Sequence, residues 1–221
     1  MAALAHLSRT GKREQNKAQN RAEILTAARQ VFTELGYGAA SIRDIIRRTN
    51  LAAGTFYNYF PDKESIFREL VEESARQVRA RLRAARDRAT TLEEFVGGAY
   101  HAYFQFVADD RVTFELVRRN DAVMRAMTGE PTLLAGVTEL HEDLEAAVAR
   151  GDLPNIDVAY LAGAMAGVAL EVAVRMVERN PPDVEGASRF ATELFLGGIE
   201  RLRRTAAEVT RSGRTRSNPK K

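Results

Sequence analysis

The chain contains no cysteine and no tryptophan, and only 3 of its 221 residues are histidine. Without cysteine there is no disulfide framework, no thiolate metal site and no sulfur nucleophile, a composition that suits a reducing compartment. His6, His101 and His141 stand in neither a His-Glu-x-x-His nor a Glu-x-x-His pattern, so the ligand spacings of zinc peptidases and di-iron bundles are missing. No glycine-rich nucleotide loop and no Gly-x-Ser-x-Gly turn occurs either, because Gly97-Gly98 and Gly197-Gly198 follow apolar helical residues rather than strands. The sequence therefore offers no catalytic residue, no metal site and no cofactor, and an enzyme is not expected.

Long apolar runs are also scarce. The longest uncharged one, Val158 to Leu170, is about 13 residues, short of the roughly 18 to 20 that a membrane span needs, and the first residues lack the apolar core of a leader. A soluble cytoplasmic protein with no membrane partner is expected. Neither sign of charge dominates: 33 Lys and Arg against 30 Asp and Glu leave a net charge of +3, too mild by itself to announce a nucleic-acid partner. A hydrophobic share of 45% over this length suits one or two folded domains.

What is present is helical periodicity. No segment alternates with the period of two that marks a strand, so the fold class is all-α. Residues 1–19 are polar and basic and read as a flexible arm. From Arg21, residues Ile24, Ala27, Ala28, Val31, Phe32 and Leu35 recur at helical spacing, with Asn20 and Glu23 placed as a capping box and Gly36 as the stop. A short helix follows Ser41, carrying Ile42, Ile45 and Ile46, and another spans about 53–59 before Pro61. Asp62 caps a long helix reaching about Asp87. Further helices run from Thr91 to Phe106, through Arg119, from Pro131 to Gly151, from Asn155 to about Arg179, and from Asp183 to about Thr205. The organisation is thus a basic arm (1–19), a domain built around two short helices (20–66), a larger helical domain (67–206) and a disordered basic tail (207–221).

Two short helices across a tight turn, braced by longer ones, form a helix-turn-helix, whose second helix suits the roughly 12 Å width of a B-DNA major groove. Here Thr55, Tyr57, Asn58 and Tyr59 supply hydroxyls and an amide, and Ala53 with Gly54 leave the helix start open to a phosphate. Phe56 and Phe60 fit the inner face. The recognition helix itself is nearly uncharged, so backbone attraction falls to Arg43, Arg47, Arg48, Lys63 and the arm. For Arg47 and Arg48 a solvated helix end is an equal alternative.

Residues Arg21 to Leu70, above all Ser41-Ile42-Arg43-Asp44-Ile45 and Gly54-Thr55-Phe56-Tyr57-Asn58-Tyr59-Phe60-Pro61-Asp62-Lys63-Glu64, resemble the DNA-binding domain of TetR/AcrR transcriptional regulators. The resemblance implies a homodimeric repressor on a palindromic double-stranded DNA operator, released by a small-molecule effector. It implies groove and phosphate contacts at Thr55, Tyr57 and Tyr59, a phosphate contact at Lys63, and a base or phosphate contact at Arg43, with Ser41 in the same interface. Ala53 departs from the polar or charged residue many relatives carry, and contact with a thymine methyl is one replacement. An architectural DNA binder without effector and a helical adaptor without DNA binding are the rival readings.

The resemblance weakens after about residue 80. Small residues along Val158 to Val177, and Phe190, Leu194, Phe195, Gly197, Gly198, Ile199 and Leu202 in the last helix, suit a four-helix dimer interface built from the last two helices, which is also how the family usually dimerises. For an apolar or amphipathic effector the candidate lining is Tyr100, Tyr103, Phe104, Phe114, Met124, Met127 and Met165, with Arg118 as anchor for an anionic head. Glu171 either forms a rim pair with Arg175 one turn later or stands in that cavity or across the dimer axis.

Overall fold

The computed structural model describes residues 2–120 and 131–216. Nine helices and no strand occur among them, and they fall into two units: Met1–Ser74 with Val112–Thr128, and Ala75–Arg111 with Gly129–Lys221. Helix α4 is continuous through the chain position where one gives way to the other.

In the first unit, α1 spans Ala2–Ala39 and is broken at Gly36, whose φ of 77° lies in the region that favours glycine. Ile24, Ala27, Ala28, Val31 and Phe32 are buried along one face. The helix starts well before Arg21, through the segment expected to be a flexible arm. Residues 12–19 hold mainly Lys, Arg, Glu, Gln and Ala, so once the packed part nucleates, the backbone can propagate toward the N-terminus without burying anything. Asn20 and Glu23 accordingly sit inside the helix instead of capping it.

Helix α2 (Ile42–Ile46) carries the capping box that its sequence suggests. The Ser41 hydroxyl accepts from the Asp44 amide and the Asp44 carboxylate accepts from the Ser41 amide. Ile45 is buried, whereas Ile42 and Ile46 are half-buried. Helix α3 is shorter than its expected span, Ala53–Phe56, because Ala52 offers no side-chain cap and Pro61 lies close behind. Residues 57–59 continue as tight turns through Asn58 N–H to Thr55 and Tyr59 N–H to Phe56. Helix α4 (Lys63–Arg88) opens on Asp62, which accepts from the Ser65 amide at 2.7 Å. Ile66, Phe67, Leu70 and Val71 bury its face. Helix α6 (Arg111–Arg118) buries Thr113 and Leu116.

The second unit contains α5 (Leu92–Asp109), α7 (Pro131–Arg150), α8 (Val158–Val177) and α9 (Val184–Arg216). Thr91, Asp157 and Asp183 each accept from a backbone amide three residues on, fixing the starts of α5, α8 and α9. Gly151, at φ 83°, ends α7 with bonds from Gly151 N–H to Val148 and Asp152 N–H to Ala147. Helix α9 packs most extensively on α5, and Tyr100, Phe104, Leu144, Leu161, Met165, Met176 and Ala191 form the core. Two expectations change here. Helix α9 continues to Arg216, through most of the segment expected to be a disordered tail, although Gly213 and the Ser and Thr residues around it are weak helix formers. Helix α8 runs on past Glu171 to 20 residues, and by length and composition alone it is apolar enough to cross a membrane; only 33% of that window is buried within the chain.

Candidate nucleic-acid interface

The recognition segment divides its side chains sharply. Phe56 is 0% and Phe60 2% exposed, as the inner face requires, while Tyr57 is 55% exposed and stands edge-on to the Phe56 ring at 5.7 Å. Ala53, Gly54 and Asn58 are exposed, and Thr55 is half-buried. A Cβ on Gly54 would meet nothing within 4 Å, so internal packing does not require glycine there. The outer surface consequently presents a hydroxyl, a phenol and an amide, an assortment able to bond with phosphate oxygens or base edges.

Three tertiary contacts hold this segment, and none follows from local spacing. The Asn20 side-chain amide donates to the Tyr59 hydroxyl at 3.1 Å, so Tyr59, expected as a DNA contact, is half-buried with its oxygen already engaged by α1. The Glu23 carboxylate accepts from the Asn50 amide at 2.6 Å, fixing the turn between α2 and α3. Arg21 pairs with Glu69 at 2.8 Å and lies 4.7 Å from the Phe60 ring centroid. Helical register is the one clue to these contacts in the sequence: Asn20 stands four residues before buried Ile24, on the face that packs.

Lys63 has an interior role. Its ammonium donates to the carbonyls of Tyr37, Gly38 and Ala40 at 2.8, 3.2 and 3.0 Å and sits 4.7 Å from the Tyr37 ring centroid. Three donors meet three carbonyls left open where α1 breaks at Gly36, which ties the start of α4 to the end of α1. That geometry gives Lys63 an internal positioning role at the residue where a phosphate contact is expected. Tyr37 packs at tilted angles against Phe32 and Phe67, at 5.3 and 4.8 Å, and burial, followed by the Glu64 and Asp62 carboxylates, raises its phenol above the usual range.

Among the basic residues of α2 and the turn that follows it, Arg43 is exposed, Arg47 lies 3.7 Å from Asp44, and Arg48 grips Glu34 with both terminal nitrogens, Nη1 at 2.6 Å. Hydrogen bonding from Arg48 holds the Glu34 carboxyl below its ordinary value. Ser41 is exposed, and its hydroxyl donates to Asp44 at 2.5 Å.

The residues proposed for effector binding separate. Tyr100, Phe104 and Met165 are buried together: the Tyr100 and Phe104 rings stack at 5.8 Å, and the Tyr100 hydroxyl donates to the Met165 carbonyl at 3.2 Å. Burial pushes the Tyr100 phenol up, and the half-exposed Tyr103 phenol is pushed up to about 12. Phe114 and Arg118 belong to the first unit, where Arg118 pairs with Glu115 at 2.8 Å. Met124 and Met127 lie outside the described residues. Glu171 is not a cavity residue. Its side chain is 66% exposed and pairs with Arg175 at 3.1 Å, because the i, i+4 spacing satisfies the carboxylate locally while the helix turns that face outward. It lines a surface groove of about 360 Å³ with Val172, Arg175, Met176 and Phe190.

Residues 24–70 match the family described as bacterial regulatory proteins, tetR family. An uncharacterized HTH-type transcriptional regulator of Haemophilus influenzae is 26% identical over 108 residues, which is 49% of this chain and 53% of the relative. The chain thus spans about half the length of that relative. The fold resembles the fatty acid degradation regulator FadR of Bacillus halodurans, with 25% identity and a TM-score of 0.72 over 81% of this chain and 96% of that one. It likewise resembles FadR of Bacillus subtilis, solved in complex with stearoyl-CoA, with 25% identity and a TM-score of 0.70 over 80% of this chain and 98% of that one. The helix-turn-helix segment, residues 24–70, thus matches the tetR family of bacterial regulatory proteins, and the helical architecture of about four fifths of the chain resembles that of these two regulators.

Proposed function

We propose that the protein is a sequence-specific DNA-binding transcriptional regulator, a homodimer that represses from a palindromic operator and leaves it when a small amphipathic effector binds. The observation that carries this reading is the two-sided recognition segment, with Phe56 and Phe60 buried and Tyr57, Asn58, Ala53 and Gly54 exposed. Thr55, Tyr57 and Asn58 read or clamp the groove, Ser41 and Arg43 contact the adjacent backbone, and Tyr59 and Lys63 hold the segment at its angle.

The dimer is supported by what one copy leaves open. Tyr160 on α8 and Phe190 and Leu194 on α9 are 80%, 59% and 51% exposed. On the same two helices a Cβ at Gly163, Gly167, Gly197 or Gly198 would meet nothing within 4 Å. Large apolar side chains beside glycines with no internal reason to be glycine suit close approach by a second copy.

The effector is assigned to the second unit, around Tyr100, Tyr103, Phe104 and Met165, whose largely apolar side chains suit an acyl chain. The stearoyl-CoA bound by the Bacillus subtilis neighbour supports a long-chain acyl thioester as its class. Release follows from linkage: an effector favouring a conformation with low operator affinity lowers that affinity by the factor by which DNA lowers its own. Continuous α4 is one of the covalent connections between the two units. Titrating stearoyl-CoA into the protein–operator complex tests the effector half. Dissociation with saturation is expected, and a complex indifferent to the ligand contradicts this effector class.

A further inference from the structure

Helix α1 continues beyond its packed part, and every residue from Lys12 to Gln19 is exposed. A helical stretch of that length gains little from its own hydrogen bonds and buries nothing to hold it. Its charge is one-sided, Lys12, Arg13 and Lys17 against the single acid Glu14. At 100° per residue, Arg13 and Lys17 fall within about 60° of Asn20 around the helix axis. Asn20 is the residue whose amide reaches the Tyr59 hydroxyl at 3.1 Å. The face bearing Arg13 and Lys17 is therefore the face turned toward the recognition segment, about one and two turns before that contact.

We infer that Arg13 and Lys17 of α1 form a second DNA contact, taking backbone phosphates of the duplex on the side that the recognition segment enters. The inference rests on the proposed DNA binding and adds a division of labour to it. The nearly uncharged recognition segment chooses the sequence, and the α1 stripe supplies attraction that is indifferent to sequence. A lipid surface fits this stripe poorly, because Ala18 is the only apolar residue between Lys12 and Gln19 and there is nothing to insert below headgroups. The arrangement also gives the helical extension a reason to persist: phosphates would neutralise positive charge that Glu14, three residues before Lys17, offsets only in part.

The test uses the full chain on its selected duplex across a salt series, comparing wild type with the double variant Arg13→Gln, Lys17→Gln and with Tyr57→Ala. Both replaced side chains are exposed, so the fold and the thermal midpoint should be retained. The double variant is expected to bind the same sequence more weakly, with the slope of log affinity against log salt reduced by about 0.9 for each phosphate that is no longer neutralised. Arg13→Lys should keep the slope, since phosphate attraction needs the charge and not the guanidinium. Unchanged affinity and slope in the double variant, with Tyr57→Ala still failing to hold the site, would overturn the inference and leave the DNA-binding reading intact. Wild-type protein that binds no duplex at all would remove both.

Discussion

Phe56 and Tyr57 are neighbours in the chain and opposites in environment: one ring is fully buried, the other is 55% exposed and stands edge-on to it at 5.7 Å. Substitution should separate them. Phe56→Ala removes a core ring and is expected to cost about 3 to 5 kcal/mol of stability. Tyr57→Ala should leave the urea midpoint nearly unchanged and weaken operator binding at least tenfold, about 1.4 kcal/mol. Paired denaturation and binding measurements check this, and a Tyr57→Ala protein that unfolds early would assign the phenol to the core.

The Lys63 ammonium should matter to the fold before it matters to DNA. Lys63→Met takes the donor from three carbonyls at the end of α1 and is expected to destabilise the first unit by roughly 1 to 3 kcal/mol. Faster amide exchange around residues 37–40 should accompany it. Lys63→Arg should rescue poorly, since a planar guanidinium cannot aim at three carbonyls as a compact ammonium does. Full stability without DNA binding in Lys63→Met would restore the phosphate-contact role.

Much of this architecture is legible in the sequence where the determinant is local. Ser41 with Asp44, Thr91 with Glu94 and Asp62 with Ser65 are contacts three residues apart, and each caps the helix its spacing suggests. Phe56 and Phe60 follow from helical period in the same way. Contacts between distant positions are not legible: Asn20 reaches Tyr59 across 39 residues and Lys63 reaches Tyr37 across 26. Such convergence depends on how helices cross, which local periodicity does not encode. The start of α1 escapes a pattern-based reading for a different reason, since lack of an apolar face excludes packing but not helix. Glu171 shows the remaining gap, because spacing finds Arg175 as its partner and only burial decides against a cavity.

Glu139 of α7 receives Arg79, Arg83 and Arg86 of α4, with Arg79 Nε at 2.8 Å. Hydrogen bonding from Arg79, reinforced by Arg83, lowers its pKa from 4.5 to about 2. A carboxyl depressed in the folded state contributes stability that is complete above its unfolded value and is lost as pH falls through the folded one. Stability should therefore decline between about pH 4.5 and 2. Glu139→Gln should remove this component and lower stability at neutral pH by roughly 1 to 3 kcal/mol. Urea unfolding across that range is the measurement, and identical pH profiles for both proteins would deny the cluster its role.

Leu194 is 51% exposed on α9. Leu194→Arg should be tolerated by a single copy and should shift the sedimentation mass from dimer to monomer. A variant of unchanged mass would place the subunit contact elsewhere.

The central claim is that this chain selects a DNA sequence, and the direct measurement is enrichment of random duplex DNA on the purified protein at physiological salt. The account predicts an inverted repeat whose half-sites lie roughly one 34 to 36 Å helical turn, or a multiple of it, apart, and no enrichment with Tyr57→Ala. Binding without any enriched sequence would contradict it.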